Sequence, residues 1–464
     1  MTLGIRTTSI EGLLVVDLVV NGDARGWFKE NWQREKMIVL GLPDFHPVQQ
    51  NVSYNEEAGV TRGIHAEPWN KLVSIAAGRI FGAWVDLREG PGFGKVFTIE
   101  MGPETAVFVP RGVGNSYQTL EPGTAYAYLV DDHWSPEAEY TFLNLADETA
   151  AVPWPIPLEE SVRSDKDLAH PRLAEVAPFP PKPTLILGAG GQLGTALLAE
   201  FPNGIFLSRE ECDITNPADL DRIRWKDYGL VINAAGHTKV DEGETREGRS
   251  AVWATNATAV AAIARHCARA DVPMMHFSSD YVFDGLIESH SEDEPFSPLS
   301  VYGASKAAGD IAVAMLPKHW ILRTSWVVGA GRNFVRVMES LAAGDTDPSV
   351  VDDQFGRLTF ASELARGIRH LVTSGAPYGT YNFSNSGDVA SWAEIARAVF
   401  SAMGADPSRV RDASTSEYGR GKMLAPRPVN STFELGRIIE TGYTPEDWRT
   451  ALVRSVDEQG AADA

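Results

Sequence analysis

Short apolar runs bounded by turn residues fill the first third of the chain. They occupy residues 12–20, 71–75, 82–87, 106–110 and 125–130, and little of this region has helical periodicity. Many short strands at such spacing are typical of an antiparallel β-sandwich or jelly roll. The pattern therefore predicts an all-β N-terminal domain.

A different pattern follows residue 183. Apolar runs at 184–187, 230–235 and 274–279 predict buried strands, and the alanine-rich stretch 256–265 predicts a helix between two of them. Strands that alternate with helices indicate a doubly wound parallel sheet of the Rossmann type.

A proline-dense segment separates the two patterns and ends in the run Ala-Pro-Phe-Pro-Pro-Lys-Pro at residues 177–183. Such a segment is stiff, extended and poor at forming either regular element. We therefore predict a first domain at residues 1–175, a proline-rich linker at 176–183 and a second domain at 184–464.

Charge and cysteine content restrict the class of protein. The net charge of the 464-residue chain is −21, which argues against sequence-independent binding of nucleic acid. The two cysteines, Cys212 and Cys267, have no metal-ligand spacing and suggest a reducing compartment. The N-terminus lacks the features of a signal peptide, and no apolar run is long enough to span a membrane. We expect a cytoplasmic protein that binds neither nucleic acid nor membrane.

Three glycines follow the first predicted strand of the second domain at a spacing of three residues. In such a turn, Gly188 permits the sharp reversal, Gly191 lets the backbone approach a pyrophosphate, and Gly194 allows the next helix to pack on the strand. The N-terminus of that helix presents free N–H groups and a positive dipole end to phosphates. The pattern predicts a dinucleotide site.

A tyrosine and a lysine lie four residues apart, which places both on one face of a helix. They are Tyr302 and Lys306, and a lysine so placed is expected to lower the pKa of the phenol. Ser279 stands at the end of a predicted strand, where open α/β sheets bind their ligands. A serine, a tyrosine and a lysine that converge on a nicotinamide are suited to carbonyl reduction.

With these residues in place, the C-terminal half resembles the extended short-chain dehydrogenases/reductases, and specifically the dTDP-4-dehydrorhamnose reductases. The matching stretches, in the order of the family, are residues 188–194, 233–241, 278–285, 302–306, 323–326, 353–356, 384–387 and 427–431. The resemblance implies a smaller substrate-binding region beside the Rossmann sheet. It also implies Tyr302 as proton donor to the C4 oxygen, Lys306 as its pKa partner and Ser279, where threonine is usual, as a hydroxyl donor.

The same resemblance assigns binding residues. For NADPH or NADH it implies contacts from Gly188, Gly191, Gln192, Leu193, Gly194, Asp213, Ala234, Ala235, Tyr302 and Lys306. Arg209 could meet a 2′-phosphate or be a solvated surface charge, so the choice of cofactor stays open. For the sugar nucleotide it implies Tyr281, Trp326 and Arg427, although core packing is an alternative role for Trp326.

Two further points concern the reductase half. Residues 357–359, Arg-Leu-Thr, depart from the family pattern, and the departure is expected to alter how the substrate phosphate or base is held. A bound Mg²⁺ is a family expectation for which the sequence offers no ligand cluster, and we assign no metal ligands.

The N-terminal half resembles the dTDP-4-dehydrorhamnose 3,5-epimerases, which have a cupin-type jelly roll. The matching stretches are residues 23–30, 50–53, 59–65, 86–88, 110–114, 154–155 and 164–167. The resemblance implies His65 as the base, Asp167 as the residue that orients it, and Lys71 as the cation that stabilises an enolate at O4. It also implies Arg25 and Arg62 as contacts to the phosphates or the base of the substrate.

Two positions depart from the epimerase pattern. Asn115 replaces a second histidine, and Trp134 aligns with the usual catalytic tyrosine, although indole cannot act as a general acid as a phenol does. His133, Tyr128 and Tyr140 are the alternative proton donors. The domain could also act at one carbon only, or serve as a binding and assembly module.

Taken together, the two halves predict a bifunctional enzyme that epimerises a dTDP-4-dehydro-6-deoxy-sugar at C3 and C5 and then reduces its C4 ketone. One alternative is a reductase of another 4-keto sugar nucleotide with a degenerate epimerase domain. The other is a non-catalytic, cofactor-sensing protein. The epimerase resemblance also implies a homodimer formed through the cupin domain.

Overall fold

The computed structural model describes residues 2–135, 138 and 140–462, with side chains up to residue 457. The chain forms two compact units that divide between Pro181 and Lys182. Val176 and Phe179, within the expected linker 176–183, are buried in the core of the N-terminal unit. Their apolar side chains find partners there, so this stretch is part of that unit's packing.

The N-terminal unit is built almost entirely from strands. Its strands are β1 (Gly4–Thr7), β2 (Leu14–Asp17), β3 (Val20–Asp23), β4 (Gly26–Lys29), β5 (Gln49–Asn55), β6 (Thr61–Ala66), β7 (Lys71–Ala77), β8 (Ile80–Asp86), β9 (Val96–Met101), β10 (Thr105–Val109), β11 (Val113–Thr119), β12 (Thr124–Val130) and β13 (Thr141–Phe142). Two short helices, α1 (Arg34–Val39) and α2 (Asp165–Leu168), accompany them.

Two antiparallel sheets form the body of this unit, in the orders β1-β2-β10-β7-β12-β5 and β13-β6-β11-β8-β9. Side chains from both sheets meet in one core, with Val73 and Val107 from the first sheet and Trp84 and Val113 from the second. The predicted all-β jelly-roll fold is confirmed. In the register of the second sheet, His65 on β6 lies opposite Asn115 on β11 and Phe142 on β13.

The C-terminal unit alternates strands and helices. Its strands are β14 (Thr184–Leu187), β15 (Ile205–Leu207), β16 (Leu230–Asn233), β17 (Met274–Ser279), β18 (His319–Thr324), β19 (Val327–Val328), β20 (Ser349–Val351), β21 (Phe355–Gly356), β22 (Thr359–Phe360), β23 (Gly379–Phe383), β24 (Ala390–Ser391) and β25 (Arg411–Ala413). Its helices are α3 (Gln192–Glu200), α4 (Pro217–Asp221), α5 (Arg246–Trp253), α6 (Ala259–Ala270), α7 (Val301–Ala314), α8 (Phe334–Ala343), α9 (Ala361–Thr373), α10 (Trp392–Ala402), α11 (Thr415–Tyr418), α12 (Gly436–Glu440) and α13 (Trp448–Ala462).

Six parallel strands form the main sheet, in the order β15-β14-β16-β17-β18-β23. Neighbouring residues of one strand enter different cores: Leu185 and Leu187 pack with α6, whereas Ile186 packs with α3 and α9. Because successive side chains of a strand point to opposite faces, helices cover both faces of the sheet. The predicted doubly wound Rossmann fold is confirmed.

A second, smaller core lies in the C-terminal part of this unit. It gathers apolar side chains from α8, α10 and α13, together with Leu358 and Phe360 beside the short strands. This core forms the smaller region that the sequence analysis expected next to the Rossmann sheet.

The helix predicted at residues 256–265 has an irregular start. Residues 254–258 form a π-helical turn, and regular α-helix follows only in α6. The widened turn carries the buried residue Asn256, whose hydrogen bonds are described below. Among the described residues, none of the helices combines the length and the apolar character needed to cross a bilayer.

Candidate active sites

The turn after β14 is packed too tightly to accept side chains at two of its glycines. Gly188 has a φ of +87°, and a Cβ there would lie 2.5 Å from the backbone nitrogen of Ala235. A Cβ on Gly194 would lie 2.3 Å from the carbonyl oxygen of Gly188. Gly191 is the N-cap residue before α3 and has no side chain to cap it, so the first N–H groups of the helix are left to a ligand. The turn therefore has the shape that a dinucleotide site needs.

The other residues expected at the cofactor surround this turn in the fold. Gln192 and Leu193 are the first residues of α3, and Ala234 and Ala235 follow the adjacent strand β16. On the next connection, the guanidinium of Arg209 lies 3.4 Å from the carboxylate of Asp213. The structure thus pairs Asp213, an expected cofactor contact, with Arg209, the candidate contact to a 2′-phosphate.

Ser279, Tyr302 and Lys306 come together at the carboxyl end of the parallel sheet. Ser279 is the last residue of β17, and its hydroxyl donates to Asp280 at 2.8 Å and is hydrogen-bonded to Tyr302. Tyr302 and Lys306 are both buried and lie one turn apart on α7. The Lys306 ammonium donates to the carbonyl oxygen of Phe277 at 2.7 Å.

Burial controls the protonation of this group. It raises the pKa of Tyr302 above its usual range, although the hydrogen bond with Ser279 opposes the shift. It also lowers the pKa of Lys306 to about 8, against the attraction of Asp310. The expectation that Lys306 lowers the pKa of Tyr302 was wrong for the ligand-free chain, because removal of the phenol from water dominates. Tyr302 is therefore held as the neutral proton donor.

Sequence reasoning did not assign roles to the buried acids beside this group. Burial raises the pKa of Asp280 to about 6, although Ser431 and Ser279 hydrogen-bond to it. Asp310 forms a buried ion pair with Arg323, with 3.1 Å between nitrogen and oxygen. The spacing of four residues from Lys306 could have singled out Asp310, since that places both on one face of α7.

Asn256 was also overlooked, since an asparagine in an alanine-rich stretch gives no signal by itself. Its Oδ1 accepts from the backbone N–H of His237 at 2.9 Å, and its Nδ2 donates to the carbonyl of His237 and to the hydroxyl of Ser305. These bonds tie the loop after β16 to α7, which carries the tyrosine and the lysine.

Two of the three expected sugar-nucleotide contacts lie near Tyr302. The ring of Tyr281 meets that of Tyr302 edge to face, with 5.4 Å between centroids. Arg427 is close enough to Tyr281 to oppose the rise that burial causes in its pKa, and it pairs with Asp241 at 3.0 Å. Trp326 instead stacks on Trp392, at 3.8 Å between ring centroids.

Arg357 is the first residue of the stretch 357–359, which departs from the reductase family pattern. Its side chain hydrogen-bonds to the backbone of the protein. Its guanidinium donates to the carbonyl oxygens of Gly387 at 2.7 Å and Phe433 at 3.2 Å. It therefore ties backbone segments of the smaller region together in the ligand-free chain, and this use was not foreseen from the sequence.

In the N-terminal unit, His65 and Asp167 form a hydrogen-bonded pair. His65 Nε2 lies 3.1 Å from Asp167 Oδ1. Asp167 sits on α2, where the hydroxyl of Ser164 accepts from its backbone N–H. Burial on its own would raise the pKa of Asp167. The interactions with His65, Ser164 and His170 together outweigh burial, so the pKa of Asp167 is lowered. The pair has the geometry of an imidazole oriented by a carboxylate.

A second histidine, absent from the sequence prediction, packs beside this pair. His170 is 8% exposed, stacks on Phe142 at 4.7 Å between centroids, and lies edge-on to His65 at 5.3 Å. Its Nε2 is 4.0 Å from Asp167 Oδ1, and burial lowers its pKa. The spacing of three residues from Asp167 was the available signal.

Lys71 is buried at the start of β7. Its ammonium is ion-paired with Glu67 and lies 5.1 Å from the ring centroid of Tyr128. Burial lowers the pKa of Lys71 to about 7, while the charge of Glu67 favours the protonated form. Glu67 was not predicted, because only the fold brings its carboxylate onto the lysine.

The structure separates the candidate proton donors. Tyr128 is hydrogen-bonded to Asn51 and adjoins Lys71. The hydroxyl of Tyr140 donates to the carbonyl of Ser135 at 3.0 Å, and His133 is exposed. Trp134 is 63% exposed. Of these candidate donors, Tyr128 is therefore the one whose ring adjoins the buried Lys71.

Asn115 has a structural reason to replace histidine. Its Oδ1 accepts hydrogen bonds from Trp84 Nε1 and from the hydroxyl of Tyr126, both at 3.0 Å. A neutral imidazole offers a single acceptor nitrogen and could not satisfy both donors. The asparagine therefore satisfies two hydrogen-bond donors in the core of the N-terminal unit, next to His65.

The two expected arginines differ in environment. Arg62 donates to Asn55 Oδ1 at 3.3 Å. Its charge also favours the ionised form of Tyr128 and so opposes the rise that burial causes in the pKa of that residue. Arg25 lies at the tip of the β3–β4 hairpin, with its side chain 90% exposed and paired to Asp23. The structure brings Arg62 towards the site and leaves Arg25 on the surface.

One group of side chains among the described residues could hold a metal ion. Over the part of the chain that the structure describes, His65, Asp167 and His170 form the one set of three potential ligands that converge, with ligand atoms within 4.8 Å of one another. The described residues of the C-terminal unit hold no comparable set of histidine, cysteine or carboxylate side chains.

Comparison with known proteins separates the chain into the same two parts. Residues 7–175 match the family model for dTDP-4-dehydrorhamnose 3,5-epimerase, and residues 182–460 match that for the RmlD substrate binding domain. A protein described as an RmlC homolog, from Streptococcus pyogenes, is 44% identical over 37% of this chain and 90% of its own length.

The C-terminal part has relatives of its own. A dTDP-4-dehydrorhamnose reductase from Mycobacterium tuberculosis is 39% identical over 59% of this chain and 91% of its own length. The crystal structure of a dTDP-4-dehydrorhamnose reductase from Bacillus anthracis in complex with NADP is 33% identical, with a TM-score of 0.55, and covers 59% of this chain and 98% of that one.

Proposed function

Because the chain belongs to the dTDP-4-dehydrorhamnose 3,5-epimerase family in its N-terminal part and to the dTDP-4-dehydrorhamnose reductase family in its C-terminal part, we propose that it catalyses both steps. The N-terminal unit inverts C3 and C5 of dTDP-4-dehydro-6-deoxy-glucose. The C-terminal unit reduces the C4 ketone of the product to give dTDP-L-rhamnose.

The observation that carries the reductase assignment is the buried set of Ser279, Tyr302 and Lys306 beside the glycine turn. Tyr302 gives its proton to the C4 oxygen as that oxygen becomes an alkoxide. Ser279 holds the phenol through its hydrogen bond. Lys306 lies one turn away on α7, where a positive charge is suited to stabilise the phenolate that forms as the proton leaves. A bound nicotinamide cofactor supplies the hydride.

The epimerase assignment rests on the pair of His65 and Asp167. A C4 ketone acidifies the protons on C3 and C5, so His65 can remove each of them in turn while Asp167 stabilises the imidazolium. The electron pair of the broken C–H bond passes to O4. Lys71, which is ion-paired with Glu67, stabilises this enolate in its ammonium form.

Inversion then needs a second group that returns a proton to the other face of the carbon. Tyr128 is assigned this role because it adjoins Lys71 and is partly exposed, whereas Trp134 carries no acidic proton of comparable strength. Trp134 is linked to the same region, since its backbone N–H donates to Gln49 and Gln49 donates to Asn51. Its exposed indole is available to stack on the base of the nucleotide.

Tyr128→Phe is expected to lower epimerisation by about 10²-fold or more, because the phenyl ring keeps the packing on Lys71 but cannot return the proton. Deuterium exchange from D₂O should persist at a higher rate than inversion, since His65 still removes protons. Tyr140→Phe is the matched control, and its phenol is occupied with Ser135. If Tyr140→Phe loses inversion and Tyr128→Phe does not, Tyr140 is the proton donor.

NADPH is assigned as the reductant in preference to NADH. Arg209 is exposed near the expected adenosine end and pairs only loosely with Asp213, so its guanidinium is available to a 2′-phosphate. The related Bacillus anthracis structure contains NADP. For this chain, Gly191, Gln192 and Leu193 would hold the pyrophosphate at the start of α3.

One experiment tests both activities. The full chain is incubated in D₂O with dTDP-4-dehydro-6-deoxy-glucose, without cofactor or with NADPH or NADH, and followed by NMR. Deuterium at C3 and C5 in every sample, with dTDP-L-rhamnose formed fastest with NADPH, is the expected result. Cofactor oxidation without exchange at either carbon would contradict the epimerase assignment, and exchange without oxidation would contradict the reductase assignment.

A homodimer through the N-terminal unit is part of the proposal. Strand β5 lies at the edge of its sheet with Val52 and Tyr54 more than half exposed, and Phe28 on the β3–β4 hairpin is 71% exposed. An edge strand with exposed apolar side chains is suited to pair with a second copy.

Sedimentation velocity of the full chain is expected to give twice the mass of one polypeptide. Val52→Lys should shift the protein towards the monomer, because it places a charge on the exposed edge of β5. Lys95→Ala, which alters an exposed residue on another part of the unit, is the control. A monomeric wild-type protein at micromolar concentration would contradict the dimer.

A further inference from the structure

His170 is a buried imidazole whose two ring nitrogens are enclosed and have no partner in full hydrogen-bond geometry, although the side chain is more than nine-tenths buried. The backbone of Leu143 is close enough to favour the protonated ring but does not complete a hydrogen bond to either nitrogen. Leaving an enclosed polar group without a good partner is energetically unfavourable. The stacking on Phe142 positions the ring but satisfies neither nitrogen.

The groups around His170 are those that bind a transition-metal ion. His65 and His170 offer imidazole nitrogens and Asp167 offers a carboxylate, all within 4.8 Å of one another. Ligand atoms around tetrahedral zinc are separated by about 3.4 Å. The distances to Asp167 Oδ1 are 3.1 Å from His65 and 4.0 Å from His170, which lie on either side of that value.

We propose that His65, Asp167 and His170 form a binding site for a divalent transition-metal ion such as Zn²⁺, and that the bound ion switches off the base of the N-terminal unit. Two imidazoles and one carboxylate supply three of four tetrahedral ligands, and water supplies the fourth. Lys166, whose charge also acts on His170, opposes the ion and limits its affinity.

The inhibitory part of this inference rests on the proposed function, in which His65 accepts a proton. A neutral imidazole that coordinates a metal through one nitrogen carries its proton on the other. It has no lone pair left for the substrate, whichever nitrogen binds the ion. Metal binding and proton abstraction at His65 therefore exclude each other.

Binding is measured on the metal-free full chain by calorimetric titration with ZnCl₂. The expected result is one Zn²⁺ per chain, with affinity at least ~10-fold weaker in His170→Phe, which keeps an aromatic ring against Phe142 but removes the ligand. His46→Phe is the matched control, because His46 is an exposed histidine 3.8 Å from Asp44 in the same unit. Unchanged affinity in His170→Phe would overturn the site.

A second measurement does not depend on how well the variant folds. Co²⁺ added to the wild-type chain should broaden or shift the ring-proton NMR signals of two histidines together, and should absorb in the visible range as a low-coordinate N/O complex does. If neither the histidine signals nor the visible spectrum changes, the ion does not bind at this cluster.

The activity arm uses the reductase as an internal control. Zn²⁺ should stop deuterium exchange at C3 and C5 in the wild-type chain, leave reduction of pre-epimerised substrate unchanged, and be reversed by EDTA. Equal loss of both activities would overturn selective inhibition. Absence of exchange in the metal-free chain would count against the epimerase assignment alone, since calorimetry tests the metal site separately.

Discussion

Tyr302→Phe is expected to lower ketone reduction by about 10²–10⁴-fold and to leave cofactor binding almost unchanged. The phenol is buried, and burial keeps it protonated at neutral pH, so it is the proton donor at hand when the C4 oxygen becomes an alkoxide. Phenylalanine preserves the packing on Tyr281 but removes the proton and the hydrogen bond with Ser279. The measurement is oxidation of NADPH with pre-epimerised substrate, alongside cofactor binding by fluorescence.

The neighbouring phenol supplies the control for this prediction. Tyr281→Phe removes a hydroxyl from the same pair of rings, and we expect it to change KM more than kcat, since Tyr281 is proposed to contact the substrate. Normal turnover in Tyr302→Phe would remove Tyr302 from the mechanism. A loss of cofactor binding in parallel with turnover would make its role structural.

His65→Ala is expected to stop deuterium exchange at both C3 and C5, a loss of about 10²–10⁴-fold, because both protons are assigned to the same base. Asp167→Asn should cause a smaller loss, since it keeps the hydrogen bond but removes the charge that stabilises the imidazolium. The measurement is the rate of deuterium incorporation by NMR, without a nicotinamide cofactor.

Reduction provides the internal control for the histidine variant. With pre-epimerised substrate, His65→Ala should oxidise NADPH at the wild-type rate, because Ser279, Tyr302 and Lys306 are untouched. Exchange that persists at one carbon only would mean that a second base serves that carbon. Exchange that persists at both would show that His65 is not the base.

The fold and much of the reductase group could be predicted from local sequence pattern. The steric demands of Gly188 and Gly194 act over a few residues, and the spacing of Tyr302 and Lys306 fixes their common helix face. Ser279 follows from its place at the end of a strand. Each of these inferences needs only short-range geometry.

What could not be predicted depended on burial and on contacts that exist only in the assembled fold. The pKa of Tyr302 is governed by how completely the fold removes it from water, which the neighbouring lysine in the sequence does not reveal. Glu67 and His170 lie only four and three residues from their partners Lys71 and Asp167, but the burial of these pairs appears only in the folded N-terminal unit. Asn115 could not be interpreted until Trp84 and Tyr126 were seen to share its oxygen.

The same limit applies to Arg357 and Trp326. A change of residue at a family position draws attention to substrate contacts, yet the guanidinium of Arg357 holds two backbone carbonyls. Trp326 stacks on Trp392, a partner far along the chain that no periodicity identifies. Roles of this kind can be recognised only from the tertiary structure.

The division of one polypeptide into two units has a consequence for metabolic control. Translation produces the two catalysts in a fixed ratio of one to one, so the cell cannot adjust one without the other. The standing concentration of the 4-keto intermediate is then set by the ratio of their turnover numbers. A substitution that slows the reductase alone would let this reactive ketone accumulate, and greater expression of the chain would leave the ratio of the two activities unchanged.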